Sequence, residues 1–471
     1  MNREETIALW KRCEIARATA INAGESEEQA NAAAAKIWNS WALDLLDQQV
    51  HLKGTNQWAA EHVTSVNPWA AHKWYAHKDV GTNEATTDWL ARASANFSKL
   101  RFTPKDINAP ARLVLEESTR ELTVIDSGRS VNFSGFIFPS VVDFFSSEFL
   151  ADVTFDRATF HGTAGFRYTT FANFVTFYHS EFYGPAWFAR MSFKEVAQFS
   201  LANFRNIARF ATVRFEDDAL FQSTSFHGKA HFLQNLFCRR AVFEGANFEG
   251  EVNFQASKSE SSFSLSGASF QKMPGFNQTT FQQAPDLDEV DFPRPGFWRI
   301  GDRRQVAGYR AMRRLAIQGH DYDREQMAFV GELRSRRWTT DKWYQPALWL
   351  GYLYDAVSDS GRSIARPLMT WLATVLFFAV GYWKTAGGPT GCSTVPNHPA
   401  VQAFLLSLKN ALVGLSTSRD PRFVAAYDCL YGPQVPIPVL VTVVEILVQV
   451  PVSASLIFLF LLGVRNRFKI K

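Results

Sequence analysis

The side chains with the most reactive chemistry in this sequence are few and scattered. Four cysteines, Cys13, Cys238, Cys392 and Cys429, form no CxxC pair, so their spacing supports neither a zinc site nor a dithiol redox centre. His51, His62, His72 and His77 gather near the N-terminus, but no HExxH and no i, i+4 His pair accompanies them, so a metal site is not expected. The run Glu216–Asp217–Asp218 reads as a solvated corner. There is no P-loop, GxSxG or kinase signature. No catalytic, cofactor-binding or metal-ligating residue is therefore assigned, no cofactor is expected, and the chain is not expected to be an enzyme. The formal net charge of +4 over 471 residues also argues against a polyelectrolyte role on nucleic acid. What remains is non-covalent chemistry: aromatic rings, guanidinium groups and two polar side chains inside an apolar run.

The rings dominate. The chain has 42 Phe against 12 Tyr. Stepping alternately by five and six residues from Phe133 reaches Phe138, Phe144, Phe149, Phe155, Phe160, Phe166, Phe171, Phe177, Phe182, Phe188 and Phe193. It continues through Phe199, Phe204, Phe210, Phe215, Phe221, Phe226, Phe232, Phe237, Phe243, Phe248 and Phe254. The next stops are Ser259, Leu265, Phe270, Phe276, Phe281, Leu287 and Phe292, so 27 of 30 positions are Phe. Within this stretch only Phe136, Phe145, Phe174 and Phe263 fall outside the register. Ala or Val recurs two residues before many of these rings, as in ATFHG (158–162), ANFRN (202–206) and ANFEG (246–250).

Neither a helix, with its period of 3.6, nor a strand, with its period of 2, fits a five/six alternation. A solenoid of short flat faces does, with one large and one small residue inward on each face and a polar corner between faces. Coils then stack about 4.8 Å apart with hydrogen bonds between them. With four faces to a coil, 30 faces predict seven to eight coils and a rod roughly 35 Å long. On these residues the sequence resembles the pentapeptide-repeat family, in its Phe-centred branch. The resemblance implies a right-handed quadrilateral β-helix, and the six-residue steps depart from the plain five-residue pattern. The expected fold is thus mixed: this β-solenoid flanked by an N-terminal helical domain and a C-terminal helical membrane unit. Some members of the family resemble DNA and bind topoisomerases, which requires a markedly acidic rod. Residues 131–292 hold 17 acids and 12 bases, so that role is not expected.

The flanks supply the positioning elements. Residues 1–94 read as a Trp-rich helical domain, and Ser26 with Gln29 forms a capping-box pattern opening a helix to about Gln49. The opening residues lack an apolar run, so no cleaved secretory signal is expected. Ala95–Asn96–Phe97 and Phe102 look like one more repeat pair, which makes 103–130 an insertion or a capping hairpin before the solenoid at 131–292. Residues 293–345 read as a basic helical hairpin, its first helix ended by Gly319 and its second capped by Asp321.

Residues 346–471 read as a two-span membrane unit, with spans at about 367–383 and 438–464. Trp371, Tyr382 and Trp383 are interface-type residues of the first span. Basic residues flank the outer ends of the pair. Arg336, Arg337, Arg362 and Arg366 precede it, and Arg465 and Arg467 follow it; all six are expected at lipid headgroups. The positive-inside rule then places the solenoid and both termini in the cytoplasm of a multi-pass protein in the plasma (inner) membrane of a bacterial type of cell. Residues 384–437 become an external loop in which Cys392 and Cys429 are expected to form a disulfide. Glu445 and Gln449 share a helix face inside the second span, and Pro451 is expected to kink that helix. The apolar segment Ala400–Leu415 is too short to span easily and is expected to lie on the membrane or dip into it. The pattern of Phe repeats, basic hairpin and a two-span end closing on RNRF is similar to a group of bacterial membrane pentapeptide-repeat proteins. The function expected is a membrane-tethered scaffold whose solenoid or N-terminal domain meets a protein partner. The alternative is a subunit of a homo-oligomeric channel or sensor.

Overall fold

The computed structural model describes residues 1–58, 84–104, 123–126, 130–293, 296, 303–338, 343–386, 398–412, 426, 429–431 and 439–468. The chain forms two compact units: residues 1–294 with 304–328, and residues 295–303 with 329–471.

The first unit is a parallel β-solenoid with helices at both ends. Its strands pair only with strands 22 residues away along the main run, as in Ala186↔Ala208 and Ala208↔Ala230. Four short strands therefore make one coil, and four parallel sheets of seven, nine, seven and seven strands make four faces. Face A runs from Ala95–Asn96 to Val252–Asn253, face B from Thr123–Asp126 and Leu100–Thr103 to Thr280–Phe281. Face C runs from Ser130–Asn132 to Phe263–Ser264 and face D from Ile137–Phe138 to Ser269–Phe270.

Each face carries one Phe inward, and the 22-residue period puts every ring above its predecessor. Centroids in a column are separated by 4.5 Å (Phe160–Phe182) to 5.4 Å (Phe270–Phe292), with planes within 12°. Rings of neighbouring columns meet edge to face, as at Phe199–Phe210 (5.4 Å, 90°), the geometry the ring quadrupole favours. The five-residue corner is a tight turn. Its third residue has positive φ (Arg157, 56°) and the Ala158 amide donates to the Phe155 carbonyl, as a type II turn requires. At six-residue corners on one edge, Gly162, Gly184, Gly228 and Gly250 stack so closely that a Cβ on Gly250 would sit 1.9 Å from the Gly228 carbonyl oxygen.

The small inward column is not purely apolar. Thr169, Asn235, Ser257 and Thr279 occupy it and donate to the carbonyls of Phe144, Phe210, Phe232 and Phe254. These buried polar groups are thus satisfied. Where the large column fails at Ser259, Phe263 takes a small-column position opposite Ala241 and lies 5.9 Å from Phe237 and 5.1 Å from Phe281. The misplaced ring fills the volume the missing ring vacates.

Both ends are covered. At the N-terminal end lie α1 (Arg3–Asn22), α2 (Glu27–Gly54) and α3 (Glu84–Ala93). The capping box of Ser26 and Gln29 is present. Trp38 stacks on Phe97 and on the off-register Phe136, and Trp10 meets Phe102 edge-on at 5.5 Å. Asn39 from α2 acts as a surrogate strand: it donates to the Gly135 carbonyl and accepts from the Ile137 amide. The first strand of face D is thereby denied to any other pairing partner. Most of 103–130 lies outside the described residues. Thr123–Asp126 pairs in parallel with Leu100–Thr103, so it extends face B and is not a hairpin arm, which would be antiparallel. Trp69, Trp74, His62, His72 and His77 lie outside the described residues.

At the C-terminal end, α4 (Arg303–Gln318) and α5 (Tyr322–Arg336) follow. Asp321 caps α5 through the Arg324 amide. Tyr309, Met312 and Leu315 join the core of the last coil beside Met273, Phe276, Leu287 and Phe292. Tyr309 and Arg324 donate to the carbonyls of Pro293 and Val290. The apolar side of the basic hairpin is thus an end cap.

The second unit contains α6 (Pro346–Ser358), α7 (Ala365–Thr385), α8 (Pro399–Ala411), α9 (Val439–Val444) and α10 (Val450–Phe468). A π-helical turn, Glu445–Gln449, joins α9 to α10. It stands where a kink was expected. Pro451 has no N–H to donate, so the helix before it lacks one regular bond and widens. Ala365–Thr385 and Glu445–Asn466 are long and apolar enough to cross a membrane.

Two predictions follow from the first unit. Phe210→Ala should cost about 3–5 kcal/mol, whereas Phe174→Ala, at a ring 38% exposed, should cost under about 0.5 kcal/mol; urea melts of the two variants check the contrast. Burial pushes the Glu14 carboxyl up to about 7 against the opposing pull of Arg17. A carboxyl whose folded pKa is raised weakens the fold as pH rises from about 4.5 to 7. Hydrogen-exchange protection of α1 should therefore fall between pH 5 and 8, by roughly 2–3 kcal/mol, and Glu14→Gln should flatten that profile.

Candidate functional site

The buried rings fill the rod's interior against one another, and its accessible chemistry lies on the outer faces. The same period that stacks rings inward stacks outward side chains into ladders. On face A the strands Ala186–Ala189, Ala208–Ala211 and Ala230–Leu233 are four residues long rather than the usual two. Their outward register positions place Gly165, Trp187, Arg209 and His231 side by side. A shallow cleft here is lined by Arg167, Trp187, Arg190, Arg209, Thr212, Leu233 and Gln234, with two alanines. It holds three guanidinium groups and no acid.

The Arg209 guanidinium lies 5.7 Å from the Trp187 ring, and Arg190 donates to the Tyr168 hydroxyl at 2.8 Å. Burial and then the nearby Arg167 hold the Arg209 pKa below its ordinary value. Burial and then Arg209 do the same to His231, whose Nδ1 is buried without a hydrogen-bond partner. Sequence reasoning missed this cleft. The signal was present as four residues 22 apart, visible only once the coil length is known.

In the second unit polar groups converge between apolar helices. Gln449 is fully buried; its amide donates to the carbonyl and hydroxyl oxygens of Ser407, each at 2.9 Å, and its carbonyl accepts from the Tyr382 hydroxyl. Ser407 donates to the Val375 carbonyl at 2.7 Å, and Asn410 donates to Tyr382. One network thus ties α7, α8 and the π-helical turn. Tyr382 is buried inside this network as the donor to Gln449. Glu445 is half-buried, with Asn410 as a hydrogen-bond neighbour and Lys409 close enough to act on its charge. Asn410 therefore links Glu445 to the network that holds Gln449.

A second polar centre holds α5, α6 and the start of α7. Asp355 is fully buried and accepts from Arg334 at 2.9 Å and Arg337 at 2.7 Å; Arg334 also reaches Asp359 at 2.8 Å. Burial alone would raise the Asp355 pKa, but the two guanidinium groups hold it below its usual range. Arg337 is only 4% exposed. Its expected place at the lipid headgroups is corrected: a buried carboxylate requires the guanidinium beside it. Arg336 is half-buried, Arg362, Arg366 and Arg465 are exposed, and the Arg467 side chain lies outside the described set. Asn466 donates to the Gly361 carbonyl at 3.0 Å, so the end of α10 sits beside the turn that starts α7. Arg362, Arg366 and Arg465 are thereby brought to one end of the helix pair. Cys429 is disulfide-bonded, Cys13 and Cys238 are free thiols, and Cys392 lies outside the described residues.

Among known proteins, neither the curated sequences nor the solved structures yielded a match. A family model described as pentapeptide repeats (9 copies) matches residues 144–192, the stretch whose ring columns and four-faced coils are set out above. The chain carries a pentapeptide-repeat β-solenoid together with two helices long and apolar enough to cross a membrane.

Proposed function

We propose that this protein is a membrane-tethered scaffold, without catalytic activity, whose solenoid offers the face A cleft to a protein partner. The observation that carries this reading is the composition of that cleft. Arg, Trp and Tyr are the residues that dominate binding energy at protein interfaces, chiefly where they are packed and partly desolvated. Trp187 and Arg209, both half-buried, meet that description on a rigid support, with the exposed Arg190 and its partner Tyr168 beside them. Cross-linking of the full chain in its native membrane, followed by identification of the adduct, tests it. Arg209→Glu with Trp187→Ala should abolish the adduct and leave the circular dichroism spectrum unchanged. Persistence of the same adduct would overturn the reading.

A second reading, a subunit of an oligomeric channel or sensor, is favoured by α8. Ser407 of this helix bonds the carbonyl of Val375, about 15 Å along α7 from either end at 1.5 Å per residue. An α8 that reaches such depth between two spans is what a pore-lining segment needs. Conductance in planar bilayers that changes with Glu445→Gln would establish this reading, and absence of current leaves the scaffold.

The same proposal sets the solenoid and both termini in the cytoplasm of an inner-membrane protein. Grouping of Arg362, Arg366 and Arg465 at one end of the spans supports it, because cytoplasmic flanks carry the excess of Lys and Arg. It also pairs Cys392 with Cys429 on the opposite, oxidising side. Mass mapping without reductant should find that linkage, whereas an impermeant thiol reagent should label Cys238 only after the cells are opened. Labelling of Cys238 on intact cells would invert the topology.

A further inference from the structure

The surface of α6 is inside out for a helix in water. Its exposed positions are Pro346, Ala347, Trp349, Leu350, Leu353 and Ala356, every one apolar. Its buried positions are Leu348, Tyr352, Asp355 and Ser358, so the charge and the hydroxyl point inward. A surface helix of a soluble protein has the opposite arrangement. Trp343 and Tyr344, which precede its N-cap Gln345, are 69% and 60% exposed. Leu350 and Leu353 are 62% and 60% exposed, comparable with Leu376 (57%) and Leu372 (44%) on the outer side of the α7 span.

Buried contacts make this arrangement obligatory for the fold of the unit. Asp355 must face Arg334 and Arg337, Trp338 donates to the Tyr352 hydroxyl at 2.9 Å, and Ser360 reaches Asp355 at 3.1 Å. With those partners fixed, the apolar stripe can only point out. The chain leaves α6 through Asp359, Ser360 and Gly361, all with positive φ (51°, 55° and 87°), a sharp break before α7 begins at Ala365. Gly463 packs against the Ser363 carbonyl, so this break is docked on the end of the other candidate span.

We propose that α6 is a third membrane-contacting element: it lies at the lipid interface with Trp349, Leu350 and Leu353 in the acyl region and Trp343 and Tyr344 at headgroup level. The partner is the bilayer itself. A lipid surface fits because the stripe has the aromatic–aliphatic composition of interface belts. It also ends only seven residues before α7. No basic residue lies on the exposed side of α6, so contact depends on buried apolar area rather than on anionic headgroups. Arg334, Arg337 and Asp355 then form a polar inner face that keeps the helix from spanning. This inference rests on the reading of α7 and α10 as spans.

The test is spin-label accessibility in the full chain reconstituted in nanodiscs, with Cys13→Ala and Cys238→Ser removing the free thiols. Labels are placed singly through Leu353→Cys, Phe377→Cys in the α7 span and Thr212→Cys on the solenoid. At Leu353→Cys, collision with oxygen should exceed collision with a water-soluble nickel chelate severalfold, as at Phe377→Cys and opposite to Thr212→Cys. A water-like ratio at Leu353→Cys beside a lipid-like ratio at Phe377→Cys overturns the proposal and leaves the spans intact. Protection of Leu353→Cys from both reagents also overturns it, in favour of a protein neighbour. A water-like ratio at Phe377→Cys overturns the spanning reading itself.

Discussion

The fold depends on a coincidence of two lengths. Parallel strands joined by hydrogen bonds sit about 4.8 Å apart, and stacked aromatic rings settle at nearly the same separation. A column of Phe can therefore run beside a ladder of backbone bonds without strain in either. Here ring centroids rise by 4.6 Å from Phe188 to Phe210 while the strands that carry them pair in register. Four such columns packed edge to face leave no interior space. The molecule has consequently moved every variable feature to its corners, outer faces and ends. A binding function on this rod has to be a surface function, and the ladders of outward side chains are its only repeating vocabulary.

How much of this was legible in the sequence follows from the same coincidence. The ring positions were readable because the inward side must repeat without interruption, and Phe at 23 successive positions of a five/six register has no other cause. The register also bounded the repeat, since it runs on past Ser259 and Leu265 to Phe292. The compensation was not readable. Phe263 looks like noise in the register, and only the coil geometry shows it beside the gap left by Ser259. Asn39 was equally silent, since a side chain mimicking a strand edge carries no periodic signal. Outward ladders such as Trp187, Arg209 and His231 are hidden for a related reason: their period is the whole coil, and nothing forces them to match.

The second unit was read by composition, and composition finds an apolar helix but not what its polar residues do. Glu445 and Gln449 were paired by spacing alone. The structure gives them different partners in one cluster: Gln449 bonds Ser407 and Tyr382, whereas Glu445 reaches it through Asn410. The basic residues were read as one class, yet Arg337 differs from Arg362 in having a buried carboxylate within reach. In each case the deciding partner lies far along the chain and is itself unremarkable in sequence. A lone Asp355 inside an apolar helix predicts a guanidinium somewhere; it does not say which.

The two units solve one problem in opposite ways. An open solenoid end and an apolar helix both expose groups that invite association, unpaired strand edges in one case and greasy surface in the other. The solenoid closes its ends with side chains that imitate strands or rings: Asn39 and Trp38 at one end, Tyr309 and Arg324 at the other. The helical unit does not close its apolar surface. It turns Asp355 and Gln449 inward, where each is fully satisfied, and leaves leucines and tryptophans outside. A polar group buried in that way is stable only if the exterior is less demanding than water, since otherwise exchanging the two surfaces would lower the free energy. The inverted polarity of the unit is thus itself an argument for lipid around it, independent of the length of any helix.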